Sequence, residues 1–272
     1  LLERKIKKNT IFVIESSSYQ LDYSNFFRSD YSLILNLSRD HLERHGNYIN
    51  YVKAKFKLIQ KQSRKDYAFV EKKNNLLFKL IKKKKIKSTI YKVDYKNYEH
   101  YFKLINNQYF NNKSNIKNLS FIFALSKLIS LNLKKIVETS NKFKGLSFRQ
   151  QIIYDSKKLM IINDSKSTSL SSTKPLLESF DNIYWILGGL AKKGDRLKLN
   201  KKYFKNINAF IYGKDKNFFS KILSKKIKYK FSKSLNNLLL LIFKGFKKNI
   251  DKKKVILFSP SAASFDQFKD FE

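Results

Sequence analysis

The 272 residues suffice for one large domain or two ordinary ones, and 42% hydrophobic content fills real cores, so the chain reads as globular; no apolar run approaches a membrane span. Zero cysteines exclude disulfides and thiolate metal sites and suit a cytoplasmic protein, and the opening Leu1-Leu2-Glu3-Arg4-Lys5 shows neither an initiator Met nor a signal peptide, as if the sequence started mid-gene. The net charge of +37 invites a non-enzymatic nucleic-acid-binding reading, but seven Arg among 58 basic residues, lysines spread along the whole chain and only 7 Gly and 2 Pro reflect AT-rich codon usage, leaving weak non-specific binding with Kd on the order of 10⁻⁴ to 10⁻⁶ M.

In chain order, short apolar runs rich in β-branched and aromatic residues predict strands at 11–14, 31–37, 67–70, 159–162, 183–187, 209–212 and 255–258. Amphipathic stretches predict helices at 48–61, 118–130, 168–180, 218–223, 235–246 and 265–271. Their alternation is the pattern of an α/β fold with a mainly parallel sheet. The polar, Lys/Asn-rich segment 71–115 reads as short strands and loops. After Gly145 the strand–helix rhythm starts afresh, which places a domain boundary between residues 145 and 146.

Six constellations follow predicted strands or open helices. Glu15-Ser16-Ser17-Ser18-Tyr19-Gln20-Leu21 puts a carboxylate and small hydroxyls at a strand end, where α/β sheets bind ligands and where Mg²⁺ can sit beside phosphates. Asn36 to His45 includes Asp40 and His41, one carboxylate and one nitrogen, suited to Mg²⁺ or Mn²⁺ more than to structural zinc. Lys55 lies in Tyr51-Val52-Lys53-Ala54-Lys55 on the following helix, by itself one more lysine on a solvated face. Asn163-Asp164-Ser165-Lys166-Ser167-Thr168 opens a helix with hydroxyls and a lysine, an anion site or a plain N-cap at Ser167 or Thr168. Leu187-Gly188-Gly189-Leu190-Ala191-Lys192-Lys193-Gly194-Asp195 is a Gly-rich loop after a strand, without the G-x-x-x-x-G-K-[ST] spacing of a Walker loop. Ser259-Pro260-Ser261-Ala262-Ala263-Ser264 and the residues to Glu272 run from a strand into a helix and again shape an anion pocket.

Taken in this order, the motifs resemble the Mur ligase family over nearly the whole chain. E-x-S-S-[FY]-Q-L, N-x-x-x-D-H-L-[DE]-R-H and Y-x-x-[AS]-K match residues 15–21, 36–45 and 51–55 and resemble the family's central ATPase domain. F-x-G-L-x-x-R, N-D-S-K-[AS]-T, L-G-G-x-x-K and S-P-x-x-A-S-x-D-Q-F-K-x-F-E match from Phe143 onward, and the last resembles the D-glutamate-adding branch. Three positions depart from the pattern: Ser147-Phe148 stand where the family has Pro-His, Ser114 replaces a His, and Ser261-Ala262 interrupt the usual S-P-A-C-A-S.

The resemblance implies an ATP-dependent amide ligase working through an acyl phosphate, with D-glutamate and UDP-N-acetylmuramoyl-L-alanine as substrates, in a monomer without a specific nucleic-acid partner. It implies Glu15, His41 and a carbamylated Lys55 as the catalytic, Mg²⁺-holding group. Asn115, Asn118, Arg149, Asp164 and Lys166 are expected at ATP, and Ser17 and Gln20 at the muramoyl substrate. Thr168, Lys192, Ser264 and Phe271 are expected to hold D-glutamate. The implied fold is an incomplete central P-loop-type ATPase domain, residues 1–145, with the P-loop itself absent, followed by a Rossmann-like C-terminal domain, residues 146–272. With the phosphate-binding loop and UDP-binding domain expected before Leu1, this piece alone is not expected to hydrolyse ATP efficiently. The alternatives are an inactive fragment, a folylpolyglutamate-type sister ligase and the basic binding protein.

Overall fold

The computed structural model describes residues 7, 10–38, 41–192, 194–246 and 252–266. It divides into two compact units, Leu1–Lys92 and Val93–Glu272. The expected boundary after Gly145 falls within the second unit.

In the first unit, β1 (Tyr31–Ile34), β2 (Tyr67–Glu71) and β3 (Thr89–Val93) form a sheet in the order β1-β2-β3. β1 and β2 are parallel, with Tyr31 opposite Tyr67 and Ile34 opposite Val70. Ala68, Phe69 and Val70 are consecutive and all fully buried, because both faces of β2 are covered. Two short helices, α1 (Ser18–Tyr23) and α2 (Leu42–His45), precede α3 (Tyr48–Gln60). Val52, Phe56 and Ile59, spaced at 4 and 3 residues, put one face of α3 onto Ile34, Ala68 and Val70. Each such side chain contributes about 1.5–3 kcal/mol on burial. Asn47 caps α3 by accepting from the Asn50 N–H at 2.9 Å.

Two sequence expectations fail here. Residues 11–14 form no strand: no neighbour in the described sheet offers a hydrogen-bond ladder, and Ile11 and Val13 are 78% and 94% exposed. The segment 71–115 is not only strands and loops, since it contains α4 (Asn75–Lys83) and α5 (Glu99–Phe102) as well as β3. Leu76, Leu77, Leu80 and Ile81 give α4 an apolar stripe at helical spacing, which the surrounding lysines mask in the sequence, and Asn74 caps it.

In the second unit, α6 (Lys113–Leu128) and α7 (Leu133–Lys142) pack with α5 around Leu119, Phe123 and Val137, with Tyr101 stacked 4.9 Å from Phe123. The remaining elements are β4 (Gln151–Asp155), β5 (Leu159–Asn163), α8 (Leu170–Leu177), β6 (Ile183–Gly188), β7 (Ile207–Tyr212), α9 (Lys216–Leu223), β8 (Lys228–Phe231), α10 (Leu235–Phe246) and β9 (Lys254–Phe258). The sheet order is β4-β5-β9-β6-β7-β8, parallel from β5 to β8 with β4 antiparallel at one edge.

Period-2 alternation sets its two cores. Met160, Ile162, Ile183, Trp185, Leu187, Val255 and Leu257 face α8 and α9, while Ile161, Tyr184, Ile186, Phe210 and Ile256 face α10. All the β5–β8 strands therefore end at one edge, where parallel sheets collect ligand-binding loops. The expected helix at 265–271 lies largely outside the described residues; Phe265 and Asp266 form a turn.

Candidate active site

In the first unit the Glu15–Gln20 motif winds into the start of α1. Ser17 is its N-cap: its hydroxyl accepts from the Gln20 N–H at 3.2 Å, and its own N–H donates to Gln20 Oε1 at 2.8 Å. This S-x-x-Q pair is a capping box that fixes the helix start, so two expected substrate contacts first orient their own loop. Glu15 precedes it in exposed, irregular chain.

His41 stands before α2 in left-handed backbone, φ 54°, a conformation that non-glycine residues adopt at a cost and that clusters at ligand loops. Its Nδ1 is 2.8 Å from the Tyr19 hydroxyl, with Glu43 at 3.6 Å. Tyr19 also stacks on His45, ring centroids 5.7 Å apart, and the His45 Nε2 meets the Ser18 hydroxyl at 3.0 Å. Buried His45 packs edge-on against Tyr51, and one turn on along α3 the half-buried Lys55 Nζ lies 5.3 Å from the Tyr51 ring. An aromatic–imidazole column thus connects His41 to Lys55. Tyr19, His45 and Tyr51 were visible inside the motifs but carried no sign that they pack together.

Among the described residues no three His, Asp or Glu side chains converge as a metal site. Asp40 lies outside the described residues. The donor chemistry fits a hard divalent cation only in part: Glu15 offers oxygens and His41 an imidazole whose Nδ1 is oriented by Tyr19, but an ammonium repels a cation unless Lys55 is converted to a carbamate.

In the second unit the expected residues gather at the carboxyl edge of the parallel strands. Asp164 follows β5 and is 5% exposed. Its Oδ2 accepts from Ser259 at 2.7 Å and its Oδ1 from the Gln150 N–H at 3.1 Å. Burial, opposed by these bonds and by the charge of Arg149, pushes its carboxyl up to about 6. Arg149 is held in a tight turn by left-handed Phe148 and Gln150, φ 64° and 51°, and its side chain is exposed. Gln150 Oε1 accepts from Asn112 at 2.9 Å and from Asn115 at 2.8 Å, so Asn115 is buried as a brace on the Arg149 turn; Asn118, one turn along α6, is half-buried.

The β5–α8 loop carries exposed Lys166 and Thr168. The N-cap of α8 is Ser169, corrected from Ser167 or Thr168. Ser169 takes the extended backbone a cap requires, while Ser167 is buried with its hydroxyl 2.7 Å from Ser172 and 2.8 Å from Thr173. At the end of β6, Gly188 and Gly189 have φ 150° and 116°, and a Cβ would lie 2.0 Å from the Tyr212 carbonyl and 2.3 Å from that of Ala263. Only glycine allows this approach, which lets Leu190 and Ala263 exchange backbone bonds of 2.7 and 3.2 Å. Lys192 and Ser264 are thereby carried on two tied loops, both half-buried. Phe271 lies outside the described residues. Sequence reasoning missed Gln150, whose part depends on two unreadable left-handed residues, and Thr173, which looked like an ordinary helix residue; Ser259 stood inside a motif but with no sign of its bond to Asp164.

Residues 1–141 match the Mur ligase middle domain. The UDP-N-acetylmuramoylalanine–D-glutamate ligase of Rickettsia bellii is 30% identical over 100% of this chain and 65% of its own length, and that of Rickettsia prowazekii is 31% identical over 97% and 63%. The chain thus spans less than two thirds of the length of these relatives. Among solved structures, MurF from Acinetobacter baumannii superposes with a TM-score of 0.65 at 14% identity, covering 88% of this chain and 58% of that one. MurF from Thermotoga maritima in complex with ADP gives 0.60 at 14% identity, over 86% and 58%. At that identity the likeness is one of fold.

Proposed function

Because the chain belongs to the Mur ligase family, we propose that it is the central and C-terminal part of an ATP-dependent ligase adding D-glutamate to UDP-N-acetylmuramoyl-L-alanine for peptidoglycan precursors. The observation that carries this is the 30% identity to a D-glutamate ligase along the entire chain. We place the boundary between central and Rossmann-like C-terminal domains at 145/146. No G-x-x-x-x-G-K-[ST] run occurs in the 272 residues, so in this reading the phosphate-binding loop lies outside them. The reading also makes the enzyme a cytoplasmic monomer.

The substrate carboxylate attacks the γ-phosphorus of ATP, giving an acyl phosphate and ADP. The amine of D-glutamate then attacks the acyl carbon, phosphate leaves, and an amide remains. Mg²⁺, when bound, neutralises the phosphoryl oxygens. Glu15, His41 and a carbamylated Lys55 would hold it, with Tyr19 fixing the His41 ring. Ser17 and Gln20 orient the muramoyl substrate. Asn115, Asn118, Arg149, Asp164 and Lys166 meet the nucleotide, with Asn115 also bracing the Arg149 turn through Gln150. Thr168, Lys192, Ser264 and Phe271 hold the two carboxylates of D-glutamate, for which lysine, hydroxyl and backbone donors are the fitting partners.

The test is ADP release by the gene product that includes this chain and its upstream coding sequence. Turnover dependent on UDP-N-acetylmuramoyl-L-alanine and on D- but not L-glutamate is the expected result. Acceptance of a folate substrate instead would assign the sister ligase, with which the chain shares fold at 9% identity and a TM-score of 0.53.

A further inference from the structure

Around Asp164 the second unit buries a ring of hydroxyls. The Ser259 hydroxyl donates to the carboxylate at 2.7 Å, and the Thr173 hydroxyl lies 2.7 Å from Ser259 Oγ and 2.8 Å from Ser167 Oγ. Ser261 Oγ is 2.6 Å from Thr173. Thr173 and Ser259 have no exposed surface, and Ser261, Ser167 and Asp164 are at most 5% exposed.

Each hydroxyl has one proton, which sets the direction of these bonds. Against an ionised Asp164, Ser259 donates to the carboxylate. Thr173 can then donate to Ser259, and Ser261 to Thr173, which is nearer than the Ser259 carbonyl at 3.2 Å. The chain Ser261–Thr173–Ser259 then runs toward Asp164. Protonation gives the carboxyl a proton of its own to donate and lets that order reverse.

The ring members stand on three segments. Asp164 and Ser167 belong to the loop carrying Lys166 and Thr168, Thr173 to α8, and Ser259 and Ser261 to the loop leading to Ser264. The other carboxylate oxygen holds the Arg149 turn through the Gln150 N–H. One carboxylate therefore joins three of the loops that carry the candidate site residues.

We propose that Thr173, Ser259 and Ser261 are positioning residues whose hydroxyls lock the Asp164 loop and the Ser264 loop into one unit, so that the nucleotide side and the amino-acid side of the candidate site are set together. The names of the two sides rest on the ligase reading; the lock does not. Arg149 and Tyr109 are the charged and titratable groups whose fields meet at Asp164, the former favouring its ionised form.

Trp185, the single tryptophan, reports on the ring because its Nε1–H donates to the Ser259 carbonyl at 2.9 Å. With 5-fluorotryptophan in the 272-residue chain, one ¹⁹F resonance should follow pH with a midpoint near 6, the value to which burial raises Asp164. Removing the donor with Ser259→Ala should move the midpoint up by about one pH unit. Thr173→Val should move it in the same direction by less, and Thr173→Ser should restore it. In the active ligase, Ser259→Ala and Thr173→Val should raise the KM for D-glutamate about tenfold, the loss expected for one charge-assisted hydrogen bond. A resonance flat between pH 4 and 8, an unmoved midpoint in folded Ser259→Ala, or Thr173→Ser behaving as Thr173→Val overturns the proposal. If Ser259→Ala does not fold, Ser261→Ala and Thr173→Val decide it by the same midpoint. A wild-type ligase with no D-glutamate turnover but the expected midpoints sinks the ligase reading and leaves the lock supported.

Discussion

Asp164 is the residue whose setting makes the sharpest forecast. Its folded pKa is raised from 3.8 to about 6, so the native state binds the extra proton and the carboxylate weakens folding as pH rises from about 4 to 6. Asp66 has the opposite sign: Arg28 holds it in a two-point pair at 2.8 and 2.9 Å and lowers it to about 2, so its contribution is present above pH 4 and is lost as pH falls through 2. Urea midpoints measured from pH 4 to 7 should therefore decline in the wild-type chain more than in Asp164→Asn. An identical slope in both would place the titration elsewhere. Lys55 gives a second forecast. In the full ligase, Lys55→Ala should cost about 100-fold or more in kcat, roughly 2.7 kcal/mol of barrier, and wild-type activity should fall when CO₂ and bicarbonate are removed. Full activity in Lys55→Ala would end its role at the metal.

Among the elements, Gly188 and Gly189 set the geometry of the β6 loop. Gly188→Ala would drive a methyl to 2.0 Å from the Tyr212 carbonyl, a backbone atom in a buried strand, and should leave little folded protein. Gly194→Ala meets no atom within 4 Å and carries only the strain of φ 79°, about 1–2 kcal/mol. Thermal melts of the two should differ widely. Ser169→Ala should remove about 1 kcal/mol from α8 through its cap, whereas Thr168→Ala should leave stability unchanged and act on D-glutamate binding alone. Long apolar runs were the plainest signal: α10 was read with its observed bounds although only Leu238 and Ile242 are buried, and β6 within one residue because its two faces each meet a core. Edge strands β4 and β8 were not legible, since Lys228, Tyr229, Lys230 and Phe231 are all exposed and carry no inside–outside contrast. The motifs drew attention to Asp164, but the partners that hold it come from far along the chain, 95 positions away for Asp164–Ser259 and a further 86 for Thr173–Ser259. Linear spacing does not report such contacts.

For the whole molecule, charge is the dominant property. At +37, non-specific association with nucleic acid should weaken steeply as salt rises, since it is driven by counterion release. A DNA shift that survives about 0.5 M salt would instead indicate specific readout. The exposed run Ile11-Phe12-Val13-Ile14 gives salt the reverse effect on the protein itself. It is an uncharged, β-prone stretch of the kind that pairs with its own copy, and the mutual repulsion of highly cationic molecules opposes such pairing. Screening that repulsion should promote self-association, so light scattering should climb over the same salt range in which DNA is released, and Val13→Lys should suppress the climb. The lysines that look like genomic bias then act as a colloidal safeguard, effective only while the ionic strength stays low.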